Sequence, residues 1–344
     1  MKQIQVNASQ NYLVHVGHGL LAEAGDTIRN VTKASRVCIV SDNHVWPLYG
    51  KTVTESLTNS GLKYVSFVFP AGETSKNANN YIQLLNFCAE NGITRSDCII
   101  ALGGGVVGDL AGFAAASYLR GISYIQIPTT LLAMVDSSVG GKTGIDLPAG
   151  KNLCGAFWQP AAVLCDLDTL NSLPKENFQD GCAEVIKYAI LFDPELFDHL
   201  ETQGLGFHQE DVVARCITHK RDVVEQDELD KGQRMLLNLG HTLGHAIEHC
   251  SEYSISHGKA VAIGMAMVSN ASKCPDTDRI LALLDAFGLP TKTDFTVQQL
   301  LQAALMDKKR SADQIHLILP ACVGNCRIVP MGMAQLETFI EEGI

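Results

Sequence analysis

Apolar positions follow two different rhythms along the chain. In the first half, residues 2–5 and 12–16 alternate apolar with polar positions and predict a hairpin. Residues 36–41, 64–69 and 98–102 are continuous apolar runs, which predict buried strands. Helical spacing fills residues 78–91 between the last two runs. Strands that alternate with helices predict a mostly parallel sheet, with ligands beyond the carboxyl ends of its strands. Asp42, Glu73, Lys76, Gly103, Gly104 and Gly105 fall at such ends.

Beyond about residue 170 the pattern changes to longer helical stretches, at 174–198, 209–228, 240–249, 258–273, 276–286 and 297–305. One interruption, residues 314–320 and 327–329 around Val323, Gly324 and Asn325, predicts a small hairpin. The expected architecture is an α/β domain with a mostly parallel sheet over residues 1–170 and an all-helical domain over residues 171–344.

A chain of 344 residues at 46% hydrophobic composition is long enough to bury two such cores. Its eleven cysteines follow no secretory leader, so a reducing cytoplasm without disulfides is expected. No run approaches 18 uncharged apolar residues, and no membrane span is expected. A formal charge of −11 with no lysine or arginine block argues against nucleic acid and anionic membranes as partners. Any anionic substrate must therefore meet a local cluster of cations.

Gly103-Gly104-Gly105-Val106-Val107-Gly108 satisfies G-x-G-x-x-G between an apolar strand and a small-residue helix, the context of a Rossmann-like pyrophosphate site. The acid usual about twenty residues later is replaced by Pro128-Thr129-Thr130, leaving Asp42 or Asp109 for the ribose. Residues 139–144 resemble a P-loop, but Asp136 stands where its first glycine belongs, which argues against an NTPase. His241 and His245 are four apart and share a helical face, with Glu248 at i+7, a spacing able to put two imidazoles on one zinc ion. Glu184 and Lys187 are three apart on another predicted helix, and His257 opens the next one beside Gly258.

The segments GGGVVGDLAGF, IPTTLLAMVDSSVGGKTGID, GKNLCGAF, GCAEVIKY, LNLGHTLGHAIEH and HGKAVAIGM together resemble the 3-dehydroquinate synthases, sugar-phosphate cyclases of the shikimate pathway, and the likeness covers nearly the whole chain. The resemblance implies NAD, a divalent metal that is usually zinc with cobalt also suited, and a phosphorylated sugar acid as substrate. The implied reaction converts 3-deoxy-D-arabino-heptulosonate 7-phosphate to 3-dehydroquinate and phosphate, a carbon–oxygen lyase step. Glu184, His241 and His257 are the implied metal ligands, while His245 is moved from the zinc to substrate and proton transfer. The implied catalytic set is Lys142, Lys187, Arg234, Asn238 and His245. Arg120, Asp136, Lys151, Asn152, Lys220 and Lys308 of the 308–309 pair complete the substrate shell. For NAD the likeness implies Asp42, Glu73, Lys76, Gly104, Gly105, Asp109, Thr129, Thr130 and Ser172, with Lys142 and Lys151. It makes residues 1–170 the NAD-binding domain and residues 171–344 the metal- and substrate-binding domain, in a cytoplasmic homodimer.

Two departures border the implied site: Pro174-Lys175-Glu176-Asn177 replaces Pro-x-Arg-Glu, and Ala189 follows Tyr188 where glycine is common. The alternatives are another sugar-phosphate cyclase, a metal-dependent glycerol dehydrogenase, or a non-catalytic NAD-binding partner. Asn238 and His245 disfavour the first, the phosphate-binding set Arg120, Lys142 and Arg234 the second, and the retained ligands the third.

Overall fold

The computed structural model describes residues 1–308 and 314–344, without the side chains of 306–308. The chain divides into two units, Met1–Pro174 with Gln209–Leu229, and Lys175–His208 with Asp230–Ile344.

The first unit is built on strands β1 (Lys2–Val6), β2 (Tyr12–Gly17), β3 (Arg36–Asp42), β4 (Lys63–Phe69), β5 (Cys98–Gly103), β6 (Ser123–Pro128) and β9 (Ala162–Asp166), with β7 (Lys142–Leu147) and β8 (Gly150–Phe157) forming a separate hairpin. The seven-stranded sheet has the order β1-β2-β9-β6-β5-β3-β4. Only β1 and β2 pair antiparallel in it; every other pairing is parallel, as the sequence rhythm predicts. Alternation along β3 and β5 sends Val37, Ile39, Ile100 and Leu102 to one face, toward α1 (Ala24–Val31) and α2 (Trp46–Asn59). Cys38, Val40, Ile99 and Ala101 face the other side, against α3 (Ala78–Glu90) and α4 (Gly105–Ser117). Each large aliphatic buried this way stabilises the unit by about 1.5–3 kcal/mol.

The expectation of a buried strand at 64–69 is corrected: β4 pairs only with β3 at the sheet edge, where Tyr64 and Val68 are 41% and 39% exposed. Strand order reverses direction at β3, which has β4 on one side and β5 on the other. The carboxyl ends of β3 and β5 thus form a topological switch point, the usual place for a ligand in such a sheet.

The helices continue with α5 (Lys175–Phe192) and α6 (Pro194–Gln203), then α7 (Gln209–Gln226), which belongs to the first unit. The single stretch expected at 174–198 is two helices, because Asp193 accepts the Leu196 N–H at 3.0 Å as an N-cap and Pro194 starts the new first turn. The second unit adds α8 (His241–Cys250), α9 (His257–Ala271), α10 (Thr277–Ala286), α11 (Val297–Lys308) and α12 (Met333–Gly343). Strands β10 (Ile315–Cys322) and β11 (Asn325–Met331) make the expected antiparallel hairpin there. Among the described residues, no helix is long and apolar enough to cross a membrane.

Candidate active site

Helix α5 is buried on all sides from Gly181 to Leu191, yet that stretch contains Glu184 and Lys187, which are 0% and 1% exposed. Burying two charges is costly unless they pair, and the Lys187 ammonium lies against Glu184 Oε2. The other carboxylate oxygen, Oε1, stands 3.4 Å from His241 Nε2 and 3.4 Å from His257 Nε2. These three side chains form a group able to hold one metal ion. Ligands about 2.1 Å from a tetrahedral ion lie about 3.4 Å from one another, so the donor set and its spacing fit zinc or cobalt.

Glycines let the three helices approach this closely. A Cβ on Gly258 would strike the backbone of Asp180 in α5, and one on Gly264 would strike Gly240 at the start of α8. Each imidazole is oriented from behind. His241 Nδ1 lies 3.0 Å from the Leu239 carbonyl, which fixes the proton there and leaves Nε2 as the donor. His257 Nδ1 faces Glu248 Oε2 at 3.5 Å. Burial, with the nearby Lys187 charge, lowers the His241 pKa to about 3, so the ring is neutral as a ligand must be. Burial lowers His257 too, but hydrogen bonds to Glu184 and Glu248 outweigh it and raise that ring to about 10.

His245 is not part of the Glu184 group; it falls in a second one with Glu248 and His257. The direct pairing of His241 with His245 on one ion, suggested by i+4 spacing, is therefore replaced by His241 with His257. Arg234, 2% exposed, and the exposed Asn238 lie together in the short 3₁₀ turn Gln233–Asn238 that leads into α8.

In the first unit, Gly104 and Gly105 join β5 to α4. A Cβ on Gly104 would lie 3.1 Å from Thr130 Cγ2, and one on Gly105 would lie 3.2 Å from Ser137 Oγ. That serine oxygen is buried and has no hydrogen-bond partner among the described residues. A bare helix N-terminus with backbone space and a waiting hydroxyl suits a dinucleotide's pyrophosphate. Thr129 donates its N–H to the Gly103 carbonyl at 3.0 Å, and Thr130 Oγ1 accepts the Ala133 N–H at 3.2 Å. Asp42 Oδ1 accepts the N–H groups of His44 and Val45 at 2.8 and 2.9 Å, and Ser172 Oγ meets the Tyr49 hydroxyl.

Lys76 is 4% exposed and reaches Asn152 Oδ1 at 2.8 Å, Glu73 Oε1 at 2.9 Å, Asp109 Oδ2 at 3.2 Å and Asp146 Oδ1 at 3.8 Å. Burial raises the Asp109 pKa to about 6 despite that lysine. Burial alone would lower Lys76, but the carboxylates of Asp109 and Glu73 raise it well above the ordinary lysine value. Lys142 opens β7 and Lys151 lies on β8, so one hairpin carries both, together with Asn152. Lys220 on α7 contacts the Asp136 carbonyl and pairs with its carboxylate at 2.8 Å. Arg120 is exposed, in a turn where Leu119 and Arg120 both have left-handed φ, 51° and 68°. Lys308 ends α11, and its side chain, like Lys309, lies outside the described residues.

Sequence reasoning did not assign Asp146, and it grouped Glu248 with His241 and His245, where the structure groups it with His245 and His257. A carboxylate one helical turn beyond His245 was visible, but its partner on α9 was not.

Comparison with known proteins gives a consistent result. Residues 66–180 match the family described as 3-dehydroquinate synthase N-terminal, and residues 181–310 match 3-dehydroquinate synthase C-terminal. A 3-dehydroquinate synthase of Streptococcus suis is 42% identical over 343 residues, covering 96% of this chain and 97% of that protein. One from Xylella fastidiosa is 42% identical over 352 residues, covering 96% and 95%. Among solved structures, 2-deoxy-scyllo-inosose synthase complexed with carbaglucose-6-phosphate, NAD+ and Co2+ superposes with a TM-score of 0.88 at 26% identity, covering 100% of both chains. The 2-epi-5-epi-valiolone synthase of Streptomyces hygroscopicus, with NAD+ and Zn2+ bound, also reaches 0.88, at 27% identity and 98% coverage of both. An iron-containing alcohol dehydrogenase shares the fold at 16% identity and a TM-score of 0.70.

Proposed function

The chain belongs to the 3-dehydroquinate synthase family, and from that premise we propose which of its side chains carry the reaction. It is a lyase of the shikimate pathway that converts 3-deoxy-D-arabino-heptulosonate 7-phosphate to 3-dehydroquinate and phosphate, using NAD and a divalent metal. NAD, when bound, supplies reversible hydride transfer at C5, and the divalent ion supplies Lewis-acid polarisation of substrate hydroxyls.

Glu184, His241 and His257 hold the ion. Gly104, Gly105 and Asp109 hold the nucleotide with Thr129, Thr130 and Lys76, and Asp42, Glu73 and Ser172 complete that set. The substrate carries a phosphate near −2 and a carboxylate, so its binding demands cations in a chain whose overall charge is −11. Arg120, Lys142, Lys151, Lys187, Lys220, Arg234 and Lys308 supply them, with Asp136, Asn152 and Asn238 fixing orientation. His245, exposed on the first turns of α8, moves a proton at the substrate. The leaving phosphate is itself a base able to take the C6 proton, so the protein mainly holds geometry and charge.

The convergence of Glu184 Oε1 with His241 Nε2 and His257 Nε2, each at 3.4 Å, carries this reading. It is tested by phosphate release from the heptulosonate phosphate, which is expected to need NAD and to stop on chelation. Net accumulation of NADH would point instead to a dehydrogenase. Release only from a different sugar phosphate would point to another cyclase. We also propose a cytoplasmic homodimer, from family membership; light scattering at twice the 37.1 kDa chain mass is the expected result for the dimer.

A further inference from the structure

Three hydrogen bonds close a ring through Lys76, Asp146 and Asn152. The Asp146 N–H donates to the Lys76 carbonyl at 2.7 Å, beside an isolated parallel bridge between Asn77 and Asp146. Asp146 Oδ1 accepts the Asn152 N–H at 2.8 Å. The side-chain oxygen of Asn152 accepts from Lys76 Nζ at 2.8 Å.

Two features make Asp146 the member that sets the others. The register between β7 and β8 slips between Ile145 and Leu147, so Asp146 sits in a bulge and its N–H turns to Lys76 rather than to the partner strand. Asn152 has a left-handed φ of 54°, a conformation that persists where surrounding bonds over-determine it. Lys76 is held as well by Glu73 at 2.9 Å, which also hydrogen-bonds the Asp146 side chain, and by Asp109 at 3.2 Å. Losing the Asp146 carboxylate therefore releases the Lys151-Asn152 segment and leaves the lysine in place.

We propose that Asp146 is a positioning residue for the reaction: its carboxylate accepts the Asn152 N–H and so sets the left-handed turn that presents Lys151 and Asn152 to the phosphorylated substrate. The inference rests on the reading of those two residues as binding groups. Asp146 acts through Asn152.

The test combines amide exchange with a double-mutant cycle on the holoenzyme. Asp146→Ala is expected to speed exchange at the Asn152 amide by about tenfold or more and to raise KM by about tenfold with kcat within about threefold. Asp146→Asn keeps an oxygen acceptor and is expected to hold both within about twofold of the parent. Asn152→Ala is expected to raise KM by itself, and adding Asp146→Ala to it to cost less than about twofold more, since both act through one contact. Unchanged exchange at Asn152 in Asp146→Ala, or KM factors that multiply, overturns the proposal. If exchange responds but Asn152→Ala leaves KM unaltered, the ring is real and the binding role of Asn152 is what fails, taking the positioning role with it. Should Asp146→Ala not fold, Asp146→Asn decides: a tenfold change in exchange or KM there overturns the proposal.

Discussion

At Glu184 a buried carboxylate turns one oxygen toward two imidazole nitrogens 3.4 Å away, whereas at Lys76 a buried ammonium is wrapped by an amide and three carboxylates at 2.8–3.8 Å. The first cluster gathers lone-pair donors and places a further carboxylate, Glu248, behind one of them. Such a set is stabilised by an added cation. The second surrounds its own cation with three carboxylates, whereas in the first Lys187 meets only Glu184 Oε2 and leaves Oε1 to the imidazoles. Buried charge thus serves two ends here: in the helical unit it prepares a centre for metal, and in the sheet unit it braces the backbone that presents neighbouring groups.

The largest expected effect lies in the helical unit. Lys187→Ala or Arg234→Ala should lower kcat/KM about a thousandfold while circular dichroism shows little loss of fold, and an unchanged value in either variant would break the assignment. Next, Lys76→Met leaves clustered, partly buried carboxylates without their buried cation, and urea titration should show a loss of about 3 kcal/mol. Metal affinity should stay as in the parent, which separates the two clusters. Glu248→Gln should weaken metal binding by about 10–100-fold, as for other groups that orient a ligating histidine, read by competition with a chromophoric chelator. If affinity is unmoved, the backing of His257 contributes nothing to the centre.

The smallest effect concerns pH. Burial raises Asp109 in the folded state to about 6, above the value of about 3.9 for a free aspartate. Its protonated form therefore stabilises the fold fully below about pH 4, and that contribution is lost as pH rises through 6. Asp109→Asn should remove about 2 kcal/mol from the difference in unfolding free energy between pH 4 and pH 7. An identical difference in parent and variant would show that Asp109 does not titrate in this range.

Much of this was legible in the residues because rhythm reports burial. The strands at Cys98–Gly103 and Arg36–Asp42, with the helices opening at His241 and His257, follow from spacing alone. Edge position does not, which is why β4 was expected to be buried: its apolar run is the same whether one neighbour or two cover it. Strand β9 is only Ala162–Asp166, too short for its period to stand out. At the candidate site, residue type identified the histidines and Glu184, but spacing favoured His245 over His257 as the partner of His241. Helix contacts permitted by Gly258 and Gly264 decide that choice, and no periodicity reports them. The Lys76 cluster draws on residues 73, 109, 146 and 152, from separate elements, so Asp146 had no local signature.

The most direct measurement is cobalt titration of the metal-stripped chain, followed by d–d absorption, in His257→Ala and His245→Ala. If Glu184, His241 and His257 share one ion, the parent binds one equivalent, His257→Ala loses the tetrahedral band, and His245→Ala keeps it while turnover falls. Retention of the band in His257→Ala with its loss in His245→Ala would contradict the assignment and restore the His241/His245 pair.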